Sequence, residues 1–154
     1  MSEPVSLAGR ASWLENPHLQ KLLAVLSANG EQARVAGGAV RNALLGDPVS
    51  DVDIASTNLP DEAARRAVSA GFRTVPTGIE HGTVTVVAEG VPYEVTTLRD
   101  DVETDGRYAV VRFGRDWRRD FTARIGKESK EVFQSLSATA TKLEGQRVRV
   151  RYCR

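Results

Sequence analysis

Gly37-Gly38, Arg41 and the pair Asp51 and Asp53 are the residues whose types and spacing could do chemistry, and the chemistry would be that of phosphate. A double glycine lets the backbone approach a ligand closely and take positive φ. The helix that follows it offers unpaired N–H groups and the positive end of its dipole. Arg41, one helical turn on, adds a planar cation matched to phosphate oxygens. In Asp51-Val52-Asp53-Ile54, strand alternation sends both carboxylates out of one face, roughly 7 Å apart at Cβ, and turns Val52 and Ile54 into the core. Two such carboxylates can hold two Mg²⁺ ions about 4 Å apart, as in-line phosphoryl and nucleotidyl transfer requires. An isolated Gly-Gly is more often a turn, and an isolated Asp-x-Asp a cap or solvated loop. Order and spacing together carry the reading. A P-loop is excluded because no lysine lies near Gly46, and an EF-hand starting at Asp51 would need an oxygen ligand at Ala55 and glycine at Ser56.

The elements that must position these residues are short. Pro17 to Asn29 reads as an amphipathic helix with Leu19, Leu22, Leu23 and Leu26 on its apolar side. Arg34-Val35-Ala36 reads as a strand delivering the glycines, Val40 to Leu45 as a short helix, and Asp51 to Ser56 as a second strand. Pro60 opens a helix through Ala70 that Gly71 closes, with Arg65 and Arg66 on a solvated face. Arg73 to Val75 and Gly82 to Val87 read as strands, the latter paired through a Glu89-Gly90 turn with Tyr93 to Leu98. On that last strand Glu94 shares a face with Thr96 and Leu98, which makes it a candidate third carboxylate if its strand neighbours the one bearing Asp53. The expected fold is α/β (α+β), a small mixed β-sheet with flanking helices. Met1 to Arg10 reads as a frayed end, Asp100 to Arg107 as a mobile polar loop, and His81 as a hydrogen-bonded structural histidine.

A chain of 154 residues with net charge +1 suits one domain and gives no long-range steering toward nucleic acid or a membrane. Its only cysteine, Cys153, excludes an intramolecular disulfide, and Cys153, His18 and His81 form no ligand-spaced zinc cluster. Neither a leader nor an apolar run of membrane-spanning length is present, so a soluble cytoplasmic protein without a membrane partner is expected.

Five segments, in order, carry a resemblance: Gly37-Gly38-Ala39-Val40-Arg41 to Leu44-Leu45-Gly46, Asp51-Val52-Asp53-Ile54-Ala55, His81-Gly82-Thr83-Val84-Thr85, Glu94-Val95-Thr96-Thr97-Leu98-Arg99 and Arg118-Arg119-Asp120-Phe121-Thr122. Together they resemble the head domain of bacterial CCA-adding tRNA nucleotidyltransferases and the related poly(A) polymerases. The resemblance implies a DNA polymerase β-like head that transfers CMP or AMP from CTP or ATP to a tRNA 3′-hydroxyl with two Mg²⁺ ions. It assigns catalysis and metal binding to Asp51, Asp53 and Glu94, the triphosphate to Gly37, Gly38 and Arg41, and the ribose to Arg118 and Asp120.

After Thr122 the likeness ends. The spacer that separates Asp-Trp from Arg-Arg-Asp in the family is missing between Asp116-Trp117 and Arg118, and Ala123-Arg124-Ile125-Gly126-Lys127 leaves the family's register. Asn42 stands where many relatives have aspartate. Lysines 127, 130 and 142 and the alternating Arg147 to Arg154 make the end basic, either an edge strand or a disordered tail. The expected organisation is a flexible 1–12, a head over 13–122 and a divergent 123–154, with the neck, body and tail of the family lacking. That pattern reads as a truncated or frame-shifted product. Two alternatives stand beside the transferase: a non-catalytic, nucleotide-binding remnant, or a head completed by a separate chain. Poly(A) polymerase is the alternative enzyme.

Overall fold

Leu19, Leu22 and Leu26 are fully buried, and their spacing makes Pro17–Leu26 (α1) a helix with one apolar stripe. Asn16 caps it by accepting the His18 backbone N–H at 2.9 Å, and Pro17 fills the first position, where no N–H is needed. The helix ends at Leu26 rather than Asn29, because Asn29 and Gly30 both take positive φ, 56° and 79°. This computed structural model describes residues 7, 9, 11–99, 102–104, 108–110, 112–117, 138–144 and 147–152.

The strands are β1 (Ala33–Ala36), β2 (Asp53–Ser56), β3 (Arg73–Gly78), β4 (Thr83–Ala88), β5 (Val91–Thr97), β6 (Val102–Thr104), β7 (Tyr108–Val110), β8 (Ala138–Glu144) and β9 (Arg147–Tyr152). Two further helices, α2 (Gly38–Leu45) and α3 (Pro60–Ser69), lie between them. The main sheet runs β3-β4-β5-β2-β1-β8-β9. Only the β2–β5 pair is parallel, so the sheet is mixed, as the residue pattern implies.

Alternation gives the sheet two different faces. Val35, Ile54, Val86, Tyr93 and Val95 join α1 and α3 residues, including Ala63 and Ala67, in one apolar core. The opposite face carries a small separate cluster of Ala36, Ala55, Leu98 and Trp117. The carboxylates belong to this second face, since Val52 and Ile54 point into the main core.

Several expected bounds shift. β2 begins at Asp53, not Asp51. On one side β1 stops at Ala36, paired with Asp53, because Gly37 turns away. On the other side the β2–β5 register, Asp53 to Glu94, would set Asp51 against Pro92, which has no N–H to give. β3 extends past Val75 to Gly78 through an irregularity in its pairing with β4. The expected polar loop, Asp100 to Arg107, contains β6, which pairs with β7 just beyond it. In the basic tail, β8 and β9 form a hairpin that extends the sheet beside β1, so the described part of this segment is strand rather than disordered chain.

Arg66 is not on a solvated face. Its side chain is 11% exposed, pairs with Glu62, and donates from Nη1 to the Ala28 carbonyl at 2.7 Å, beyond the end of α1. Arg65, 66% exposed, does lie on the surface with Glu62. Buried Leu7 and Ala11 extend the core N-terminal of Trp13.

Candidate active site

The glycine turn and the second carboxylate meet because of sheet register. Ala36 pairs with Asp53 across β1 and β2, so Gly37, the next residue, arrives beside the Asp53 side chain. A Cβ at Gly37 would lie 3.8 Å from Asp53 Oδ2. Gly37 holds φ 79° and ψ −142°, a conformation that side-chain-bearing residues avoid. The Arg41 N–H donates to the Gly37 carbonyl at 3.3 Å, the start of α2. The preceding helical N–H groups have no partner within α2. Arg41 folds back over the same turn: a Cβ at Gly38 would meet its Nη2 at 3.4 Å. Backbone donors, a guanidinium and a carboxylate therefore converge at one corner of the sheet.

Asn42 holds that corner together. Arg41 Nε donates to Asn42 Oδ1 at 3.2 Å, and Asn42 Nδ2 donates to the Pro48 carbonyl at 3.0 Å. An aspartate could accept from Arg41 but could not donate to Pro48. The change read as a lost charge thus supplies a hydrogen bond between α2 and the loop leading to Asp51.

Asp53 and Glu94 are register partners on the adjacent parallel strands β2 and β5, which lie about 4.8 Å apart in any sheet. Asp53 is half-buried and Glu94 exposed. Asp51, exposed, precedes β2 and accepts from Ser50 Oγ at 3.4 Å. The exposed, buried, half-buried, buried sequence of Asp51 to Ile54 retains strand-like alternation even where pairing stops. The donors are hard oxygens, which fit Mg²⁺ better than zinc. Among the described residues no three His, Cys, Asp or Glu side chains are gathered tightly enough to hold a metal ion; Asp53 and Glu94 are the pair that the fold brings together.

Arg118 and Asp120 lie outside the described residues. The segment before them is described, and it crosses the carboxylate face. Phe113 bridges to Arg99, and the Gly114 N–H donates to the Leu98 carbonyl at 2.9 Å. Phe113 packs so closely on Gly82 (φ 81°) that a Cβ there would lie 2.5 Å from its ring. Arg115 Nη1 then reaches both Glu31 oxygens at 2.9 Å, and Trp117 Nε1 donates to Gln32 Oε1 at 2.7 Å. The hydroxyl of Thr57 and the Arg115 guanidinium hold the Glu31 carboxyl below its ordinary range. Arg34 lies over the Trp117 ring, its guanidinium carbon 3.9 Å from the centroid.

In the sequence Arg115 to Trp117 reads only as part of the segment resembling the Arg-Arg-Asp motif; its crossing of the sheet is not legible there, although an available signal is the placement of Arg34 and Ala36 on the face opposite Val35. Arg99 donates to the backbone carbonyl of His81. The His81 ring itself is exposed, 3.7 Å from Glu80, so the structural role expected of that histidine falls to its backbone.

Known proteins fall into line with this arrangement. Residues 33–125 match the Poly A polymerase head domain family, and the chain belongs to that family. A CCA-adding enzyme of Geobacillus thermodenitrificans is 46% identical over 117 residues, covering 69% of this chain and 28% of the relative. The mitochondrial CCA tRNA nucleotidyltransferase 1 of Danio rerio is 44% identical over 100 residues, covering 64% of this chain and 23% of the relative. The CCA-adding enzyme of Bacillus stearothermophilus in complex with CTP superposes with a TM-score of 0.54 at 39% identity, over 69% of this chain and 25% of that one. A tRNA nucleotidyltransferase complexed with a primer tRNA and an incoming ATP analogue shares the fold, with a TM-score of 0.59 at 21% identity over 85% of this chain and 34% of that one. The chain spans about a quarter of the curated relatives it matches.

Proposed function

We propose that this chain is a nucleotidyltransferase head that transfers CMP or AMP from CTP or ATP to the 3′-hydroxyl of a tRNA. The observation that carries the reading is the meeting of Gly37, Arg41 and Asp53 at one corner, with Glu94 in register beside Asp53. The α2 N–H groups and Arg41 would hold the triphosphate, using aligned donors and a fixed cation. Asp51, Asp53 and Glu94 would hold Mg²⁺, which when bound lowers the pKa of the attacking hydroxyl and offsets charge on the phosphates. The 3′-oxygen forms a bond to the α-phosphorus as the bond to the bridging α,β-oxygen breaks; pyrophosphate leaves and the hydroxyl proton passes to solvent. With the triphosphate on the β1 side of Asp53, in-line attack brings the RNA end from the β5 side, where Glu94 stands. Arg118 and Asp120 are assigned to the ribose of the incoming nucleotide. A head over 13–122 is the unit to which these roles belong, and the cytoplasm, where tRNA and nucleotides meet, is its compartment. No helix among the described residues is long and apolar enough to cross a membrane.

The test is incorporation of labelled CTP and ATP onto tRNA lacking its CCA end, with Mg²⁺, by this chain and its Asp53→Ala variant. Incorporation by the parent that vanishes in the variant supports the reading, whereas equal incorporation by both would overturn it. ATP added in runs, with CTP ignored, would identify a poly(A) polymerase instead. A second reading is a head that binds Mg²⁺-nucleotide but transfers only when another chain supplies further regions. Nucleotide binding without transfer, converted to transfer by such a chain in a concentration-dependent way, would select it.

A further inference from the structure

Glu31, Gln32 and Thr57 lie at the start of β1 and the end of β2, away from the glycine turn and from every residue assigned to phosphate or metal. They nonetheless form a closely bonded polar group. The Gln32 N–H donates to Thr57 Oγ1 at 2.8 Å, and the Thr57 hydroxyl in turn donates to Glu31 Oε2. Glu31 is thereby fixed from behind and presents both oxygens to Arg115, whose Nη2 also reaches the Gly30 carbonyl at 3.4 Å. Gln32 Oε1 accepts from Trp117 Nε1 and also from Arg34 Nη2, at 2.7 and 3.0 Å. The Arg34 guanidinium covers the outer side of the indole, while Ala36, Ala55 and Leu98 pack against it from the sheet.

These contacts have a direct geometric consequence for the carboxylate. Ala36 is the register partner of Asp53, and Ala55 follows Asp53 two residues later on the same face. Two alanines leave the depth for an indole to rest on the sheet at the next same-face position along β2 from Asp53. A larger residue at either position would lift it.

We propose that Glu31 and Gln32 are positioning residues for the incoming nucleotide: through Arg115 and Trp117 they pin a strap across the sheet so that the indole forms a fixed wall beside Asp53. The wall narrows the approach to the carboxylate from the β1 side, the side on which the reading above puts the nucleotide, and the inference rests on that reading. Neither residue touches substrate. Their contribution is to hold Trp117 in one place before the nucleotide arrives, so that binding does not have to order it. Two polar anchors with a cation over the ring achieve this for an otherwise half-exposed side chain.

The chain has two tryptophans, Trp13 and Trp117, so a Trp13→Phe parent reports Trp117 alone. Glu31→Gln retains an acceptor for Thr57 and removes the charge facing Arg115; Gln32→Met removes the shared acceptor at similar length. Acrylamide quenching of Trp117 and titration with Mg²⁺-CTP and Mg²⁺-ATP are measured in the parent and in both variants. The expected result is easier quenching and a nucleotide Kd raised about three- to tenfold in either variant, with affinity for tRNA unchanged. Partial recovery is expected when Glu31→Asp replaces Glu31→Gln, because the charge pair is restored. A general loss of structure would move both affinities, so the split separates positioning from destabilisation. If the parent binds nucleotide and both folded variants bind it equally well, the positioning role is wrong and the nucleotide site stands. If the parent binds none, the nucleotide reading and this inference fall together.

Discussion

Asp53 lies beside a glycine whose backbone, rather than its lack of space, restricts what can replace it. The Gly37 backbone lies in a region open to glycine, with Asp53 Oδ2 3.8 Å from where a Cβ would be. Gly37→Ala is therefore expected to lower stability by about 1–3 kcal/mol, measured by denaturant unfolding, and to weaken Mg²⁺-nucleotide binding in the same protein. Tyr93 shows a different residue-scale effect. Burial pushes its phenol above the ordinary value of 10.0, so the folded state holds the proton more tightly than the unfolded state. The corresponding stabilisation is complete below about pH 10 and is lost as the pH rises from there through the higher folded value. Tyr93→Phe should flatten the alkaline limb of a stability–pH profile, and an unchanged limb would show that another group controls it.

At the scale of elements, short strands are held by polar side chains at their ends as much as by ladders. Buried Asn58, just after β2, donates from Nδ2 to the Leu26 carbonyl at the end of α1 and to Ser56 Oγ, at 2.7 and 2.8 Å. The Asn58 backbone carbonyl accepts from Thr97 Oγ1 at 2.7 Å, joining β5 to the same point. Asn58→Ala removes the buried Nδ2 donor to the Leu26 carbonyl, while Thr97 and Ser56 keep their bonds to the Asn58 backbone; it is expected to cost about 1–3 kcal/mol, read as a lower denaturation midpoint with an unchanged slope. Helix α3 has an exposed counterpart in Glu62, which Arg65 and then Arg66 draw from 4.5 to about 2. The folded value lies below the unfolded one, so this contribution is present above about pH 4.5 and disappears as the pH falls to about 2. Glu62→Gln should make stability fall less steeply across that window, and high salt should shrink the difference, since the pair is exposed.

For the whole molecule, the separation of the two sheet faces matters most. One face is closed by α1 and α3 over a continuous apolar core, and the other is left for Asp53, Glu94 and the strap. The β8–β9 hairpin is joined to β1 at the edge of the sheet through Ala36 and Thr139, whereas the described residues of both apolar clusters come from the segment up to Trp117. Removing residues 138–154 is expected to leave a cooperatively folded sheet of β3-β4-β5-β2-β1 with its nucleotide affinity intact. It should also expose the β1 edge and raise the tendency to self-associate. Thermal melting, nucleotide titration and light scattering together check this, and a non-cooperative melt would show that the hairpin belongs to the folding unit.

Local pattern was legible wherever burial has a period. The leucines of α1, the alternation of Asp51 to Ile54, and the glycines and prolines that stop each helix put the main elements in order, because each is decided by contacts between near neighbours in the chain. The ordered motifs by themselves also mark the chain's family. Register was not legible. Whether Glu94 stands beside Asp53 depends on a parallel pairing of strands 41 residues apart, and no local period encodes which distant strand will be a neighbour. The same reason hid the start of β2 at Asp53, which depends on Pro92 and Gly37 occupying the flanking positions. It also hid the capping role of Arg66 and the anchoring of Trp117 by Gln32, 85 residues away. Sequence by itself thus determined the elements, the family and the types of residue available for phosphate chemistry. Tertiary structure alone decided which of those residues meet, because pairing, packing on a chosen face and long-range hydrogen bonds exist only once the chain has closed on itself.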